Sequence, residues 1–179
     1  EQEFAEAIDE LTARDADLAS LVADHGRPAL WSRPAGFPSL VLLILEQQVS
    51  LASAAAAYTR VLARIGAMEP DRLLATTPEQ LRADGVSRQK DRYVRALATA
   101  VAGGHLDLNS LDELSDDVAR RDLLALPGLG PWTADVYVLA CLGRPDVWPV
   151  GDRALQAATA EAPGPDTLPR PRHSALAGA

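Results

Sequence analysis

The chain has 179 residues and is 47% apolar, enough for one large domain or two small helical ones. Aromatic residues make up only 4% and the apolar positions are mostly Ala, Leu and Val, which favours helices over a sheet sandwich. The net charge of −8 argues mildly against a nucleic-acid partner, although binding depends on one local face rather than on the total.

A single cysteine, Cys141, excludes an internal disulfide, and its apolar surroundings read as those of a buried thiol. No run reaches the ~18 uncharged apolar residues of a membrane span and nothing resembles a signal peptide, so a cytoplasmic chain is expected. The first residue is Glu1 rather than methionine, the expectation for a fragment or a trimmed chain. Of the 17 basic residues Lys90 is the single lysine, which leaves 16 arginines.

"FAEAIDELTARDADLASLV" has apolar residues at helical spacing and predicts one or two opening helices, followed by the Pro/Gly-rich connection "GRPALWSRPAG". Pro38 suits a first helical position, and the apolar run "SLVLLILEQ" after it predicts a buried core helix. "QQVS" interrupts that helix. Ser50 then reads as the N-cap of "LASAAAAYTRVLARIG", ended by Gly66.

Thr77 caps "PEQLRADG", with Gly85 as its stop, and Ser87 caps "RQKDRYVRALATAVAGG". Ser115 with Asp116 and Asp117 opens "DDVARRDLLAL", its acids placed where the helix dipole prefers them. The turn "PGLGP", a helix "WTADVYVLACLG", the loop "RPDVWPVG" and a helix from Asp152 to about residue 162 complete the ordered pattern. The tail from Pro163 is rich in Pro and Gly and is expected to be irregular. No strand alternation appears, so the fold class is all-α.

"LPGLGPW", residues 126–132, lies between two helices and lacks a preceding strand and a third glycine, which removes a dinucleotide-binding reading. A Gly-x-Gly turn at a helix N-terminus leaves backbone amides of Gly128, Leu129 and Gly130 pointing outward, with the positive dipole end behind them. Such a nest suits one phosphate of a nucleic-acid backbone and needs no lysine. The alternative is an ordinary helix–helix turn with a glycine stop.

"LLALPGLGPWTADVYVLACLGRPDVWPVGDRAL" resembles the helix-hairpin-helix, Gly/Pro segment and catalytic aspartate of the base-excision DNA glycosylases, and most closely the 3-methyladenine DNA glycosylase II group. "LILEQQVSLASAAAAYTRV" resembles the apolar helix and Gln-Gln pair of the same family, and "LRADGVSRQKDRYVRALATAVAGGHLDL" fits the segment between. The resemblance runs in the right order over roughly residues 30–160. It implies a two-lobed helical bundle: N-terminal helices in 1–36 packing with the C-terminal lobe, a lobe 37–114 carrying the Gln-Gln turn, the hairpin and aspartate in 115–162, and the tail 163–179.

The implied activity is hydrolysis of the N-glycosidic bond of alkylated purines in damaged double-stranded DNA, by a monomer that is cytoplasmic and associated with the nucleoid when bound. Asp152 would be the catalytic carboxylate, and as a plain alternative it would make a good N-cap. Trp132 stands where strand-cutting relatives carry a Schiff-base lysine, so a monofunctional enzyme without lyase activity is implied. Its ring either walls the pocket and attracts a cationic base, or packs the hairpin.

Gln48, with Gln47 beside it, takes the position of the wedge that fills the gap left by an extruded base; otherwise the two are polar turn residues. Tyr137 lines the pocket or packs the core, and Thr133 adds a phosphate contact or sits in the first helical turn. The resemblance also implies that Ser50 belongs to the DNA-facing turn. Arg88, Lys90 and Arg92 offer either a basic edge for the DNA backbone or a solvated helix face.

His25, His105 and His173 show no ligand spacing, so no metal site is expected. No cofactor is required, and the family geometry leaves room for a monovalent cation at the hairpin. Two departures stand out. Glu46 replaces the family's usual glycine, placing a negative charge near the path of DNA, and the tail does not resemble the family's closing helix. The competing reading is a helix-hairpin-helix DNA-binding or protein-interaction module without turnover.

Overall fold

The computed structural model describes residues 2–161. Among them are ten α-helices and no strand: α1 Gln2–Arg14, α2 Ala16–His25, α3 Phe37–Glu46, α4 Leu51–Ile65, α5 Pro70–Leu74, α6 Pro78–Ala83, α7 Arg88–Ala102, α8 Asp116–Leu124, α9 Pro131–Ala140 and α10 Arg153–Glu161. A single 3-10 turn lies at Leu111–Glu113. The expected all-helical class is therefore what the described residues form. The irregular tail expected from Pro163 lies outside the described residues. No helix among the described residues is long and apolar enough to cross a membrane.

Two compact units divide the chain, one from its N-terminus to Trp31 and again from Gly151, the other Ser32–Val150. In the first, α1 and α2 pack together. Asp15 separates them by capping α2, its carboxylate accepting the amides of Asp17 and Leu18 at 2.9 and 3.1 Å. The Arg27 guanidinium bonds the Asp9 carboxylate of α1. Opening α10, Asp152 accepts the Leu155 amide at 2.9 Å through Oδ1.

The second unit is built around α3. This helix is apolar on nearly every side, as a helix surrounded by others must be: Leu40, Leu43 and Ile44 are completely buried and Phe37, Val41 and Leu45 nearly so. It packs on α4, α7 and α9. The α4 face turned inward carries Ala54, Ala57, Val61 and Ile65, and its small N-terminal residues let the two helices approach. Truncating one of the fully buried leucines to alanine would cost about 2–5 kcal/mol.

Before α3 the chain is pinned. Gly36 has φ +117, a conformation that favours glycine, and its amide donates to the buried Tyr137 hydroxyl at 2.8 Å. Burial pushes the Tyr137 phenol up to about 12, so this acceptor stays protonated through the physiological range. The Arg33 amide bonds the Ala140 carbonyl at 2.8 Å, and the Ser39 hydroxyl donates to the Pro34 carbonyl at 2.6 Å.

The expected caps form. The Thr77 hydroxyl accepts the Gln80 amide at 3.2 Å while the Gln80 side chain accepts the Thr77 amide at 2.8 Å, a reciprocal pair closing the start of α6. Ser50 and Ser87 accept the amides of Ser53 and Lys90 at 3.2 and 3.3 Å. Ser115 makes no side-chain bond to the first turn of α8, which relies on Asp116 and Asp117 at the positive dipole end. Unforeseen were the five-residue α5 and the 3-10 turn; both are too short to show a period.

Buried carboxylates are paired. Asp84 accepts from Arg64 at 2.6 and 2.9 Å, and this hydrogen-bonded guanidinium holds its carboxyl below the usual carboxylate range. Because the folded value is depressed, the pair stabilises the fold at pH above the unfolded value of about 3.9 and loses that contribution as pH falls through the folded one. We therefore expect Asp84→Asn to lower the thermal midpoint at neutral pH and to flatten its fall below about pH 4. Thermal unfolding followed by circular dichroism across pH 2–7 measures both.

Candidate nucleic-acid interface

Helices α8 and α9 are joined by the tight turn Leu126–Gly130. Gly128 takes φ +88. A Cβ there would also run into the Tyr93 ring, so the α7 aromatic lies directly against the glycine. Gly128 is thus demanded twice, by backbone conformation and by close approach. Leu129 is buried and anchors the turn in the core, with its amide bonded to the Leu126 carbonyl at 3.2 Å. Gly130 caps α9 with extended backbone, and Pro131 follows in the first turn.

Among the described residues, no hydrogen bond uses the amide of Gly128 or of Gly130. Donors left without a partner ahead of a helix N-terminus are of the kind that can bind an anion, whereas the Leu129 amide expected with them is already engaged.

Behind the hairpin stands the Gln-Gln turn between α3 and α4. Gln47 is half-buried and points inward. Its side-chain nitrogen donates to the Gly128 carbonyl at 2.8 Å and to the Thr133 hydroxyl at 3.1 Å. Thr133 is buried, so its hydroxyl serves this internal bond rather than a phosphate. Gln48 is the opposite case: exposed, and with φ +57 the single non-glycine residue at positive φ among the described residues. The pair that looks symmetrical in sequence thus splits into an inward strut and an outward tip. Beside the tip, Val49 and Leu51 are large exposed apolar side chains, Leu51 at 67%. Ser50 is exposed and its hydroxyl is used in capping α4.

Glu46 does not present a bare negative charge. Its carboxylate accepts from both Arg33 terminal nitrogens at 2.9 and 3.1 Å and is only 8% exposed. A bidentate pair of this kind neutralises the site that the sequence flagged as unfavourable to DNA.

Of the three basic residues on α7, Arg88 and Arg92 are exposed. Lys90 is turned inward instead, its ammonium donating to the Leu45 carbonyl at 2.7 Å, and burial pushes it below the ordinary lysine value. Trp132 is half-buried against the core and Tyr137 fully buried. Cys141 is half-buried, with its thiol pushed up to about 11 by burial. Tyr93 and Arg33, which sequence reasoning passed over, act at long range on Gly128 and Glu46; neither carries a local pattern that would mark it.

Residues 41–175 match the family described as HhH-GPD superfamily base excision DNA repair protein. A Mycobacterium tuberculosis protein named probable bifunctional transcriptional activator/DNA repair enzyme AlkA is 34% identical over 163 residues, covering 86% of this chain and 32% of the relative. YfjP of Bacillus subtilis, a putative DNA-3-methyladenine glycosylase, is 25% identical over 149 residues, covering 79% of this chain and 52% of the relative. The chain thus spans about a third and about half of the length of these two curated relatives. Among solved structures, a DNA-3-methyladenine glycosidase from Bacillus halodurans superimposes with a TM-score of 0.75 at 34% identity, covering 90% of this chain and 74% of that one.

Two substitutions test the interface. Gly128→Ala forces the Tyr93 ring aside and strains the backbone, and we expect it to destabilise the fold by about 2–4 kcal/mol. Gln47→Ala leaves the Gly128 carbonyl and Thr133 hydroxyl without their donor, with an expected cost of about 1–3 kcal/mol. Urea unfolding of both variants gives the values.

Proposed function

The chain belongs to the HhH-GPD superfamily of base excision DNA repair proteins, and from that membership we propose that it is a monofunctional DNA glycosylase releasing alkylated purines of the 3-methyladenine type from duplex DNA. The observation that carries this reading is the hairpin itself: two unpartnered glycine amides at the start of α9, held through Gln47 to a turn whose exposed tip is Gln48. Those amides bind a backbone phosphate, and Gln48 enters the space vacated by the extruded base.

Cleaving the base–sugar bond develops positive charge on the sugar, as in glycoside hydrolysis. An alkylated purine already carries positive charge, so it departs without a dedicated acid and one carboxylate suffices. We assign that carboxylate to Asp152. The Leu155 amide bond to Oδ1 fixes its orientation at the head of α10. The same bond is what an ordinary N-cap makes, so the cap and the catalytic role coexist in one side chain. Trp132 offers an aromatic face to a cationic base.

The amines support a reading without lyase activity. A Schiff base needs a neutral amine with an available lone pair. Trp132 fills the hairpin position, and the one lysine of the chain holds the Leu45 carbonyl. No cofactor enters the proposed chemistry, and the duplex is the partner.

We expect the 179-residue chain to release methylated bases from alkylated duplex DNA, scored as strand breaks after alkali. No breaks should appear without alkali, and borohydride should trap no covalent adduct. Asp152→Asn should lower release by about a hundredfold or more and leave duplex binding in place. Equal release by the two proteins would refute the carboxylate assignment. Duplex binding without release by either would establish the non-catalytic module instead.

A further inference from the structure

Lys90 is the chain's single lysine, and the proposed chemistry makes no use of it. Its position follows from what the Gln-Gln turn does to α3. In a continuing helix the Leu45 carbonyl would accept the Val49 amide, four residues on. Here Gln48 swings to φ +57 and the Val49 amide goes to the Glu46 carbonyl at 3.5 Å, while the Gln47 amide goes to Ile44 at 3.4 Å. The left-handed residue therefore orphans the Leu45 carbonyl inside a buried helix end, where an unsatisfied acceptor is costly. The Lys90 ammonium fills that vacancy at 2.7 Å.

One turn along α7 from Lys90 stands Tyr93, whose ring lies against Gly128. Residues three apart share a helix face, so one face of α7 supports both the turn and the hairpin. A lysine suits this task better than the arginine used at the other 16 basic positions. It is a single point charge on a slim stem, able to reach one half-buried carbonyl where a planar guanidinium needs a wider opening.

We infer that Lys90 is a positioning residue for base extrusion: by holding the Leu45 carbonyl it keeps Gln48 in the left-handed conformation from which its side chain enters the duplex. The inference rests on the reading of Gln48 as the wedge of a DNA-extruding protein, and it predicts that Lys90 acts only through Gln48.

The test uses the full chain with a duplex carrying 2-aminopurine in a mismatch, which brightens when the base leaves the stack. Wild type, Lys90→Met, Gln48→Gly and the double variant are compared, with duplex affinity by anisotropy and methylated-base release measured alongside. Lys90→Met is expected to reduce the extruded fraction about tenfold while affinity changes less than about twofold. Combined with Gln48→Gly, which removes both the side chain and the strain, it should have no further effect.

Where Lys90→Met fails to fold by circular dichroism, Lys90→Gln, which retains a donor on a shorter stem, takes its place with a smaller loss in the same direction. Additive losses in the double variant, parallel losses of affinity and extrusion, or no extrusion by the wild type each overturn the inference. Lys90-dependent extrusion without base release would sink the glycosylase reading alone. Base release with extrusion indifferent to Lys90 would sink this inference alone.

Discussion

The side-chain amide of Gln47 is the interaction on which the rest of the interface depends. It joins residues 81 and 86 positions apart in the chain, reaching the Gly128 carbonyl and the Thr133 hydroxyl from one nitrogen. Thr133 is buried and Gly128 partly so, which makes leaving these bonds unmade costly. With that strut in place, the Gln48 tip and the glycine amides become parts of one rigid element. Tyr93 closes the arrangement from α7 by occupying the space a side chain at position 128 would need.

The charge economy fits an interface of this kind. Much of the arginine content is committed inside the second unit: Arg33 to Glu46, Arg64 to Asp84, Arg95 to Asp91 and Arg120 to Asp135. These guanidiniums neutralise carboxylates that are largely buried, which would otherwise be costly to hold there. The net charge of −8 is therefore a poor guide to the hairpin face. Backbone amides do not change the total charge, and a grip built on them releases fewer counterions than a lysine-rich one. Under the proposed function, a shallow dependence of duplex affinity on salt is the expected consequence.

Local rules made part of this structure legible in advance. Thr77, Ser50 and Ser87 lie within three residues of what they cap, and the apolar run before the Gln-Gln pair reads as a buried helix without reference to anything distant. Gly128 announces a turn for the same reason. What stayed hidden depends on tertiary neighbours. Nothing in "QQ" says which glutamine faces inward, because that is decided by the backbone reversal at Gln48 and by the carbonyl waiting 81 residues away. Lys90 reads as a surface cation until Leu45 is seen to lack a donor, and Glu46 as a misplaced charge until Arg33, 13 residues earlier, is found across from it. Asp152 is the mixed case, since its bond to the Leu155 amide is local while a catalytic role rests on the chemistry of the family.

The central claim is that the two unpartnered hairpin amides receive a DNA phosphate. The most direct measurement is an amide nitrogen–proton NMR titration of the labelled protein with a short duplex bearing an abasic-site analogue. The account predicts that the Gly128 and Gly130 resonances move downfield at stoichiometric duplex, as amides do when they acquire a charged acceptor, while the already bonded Leu129 amide moves less. Binding that leaves both glycine resonances unmoved would contradict it and would place the contact with DNA elsewhere on the chain.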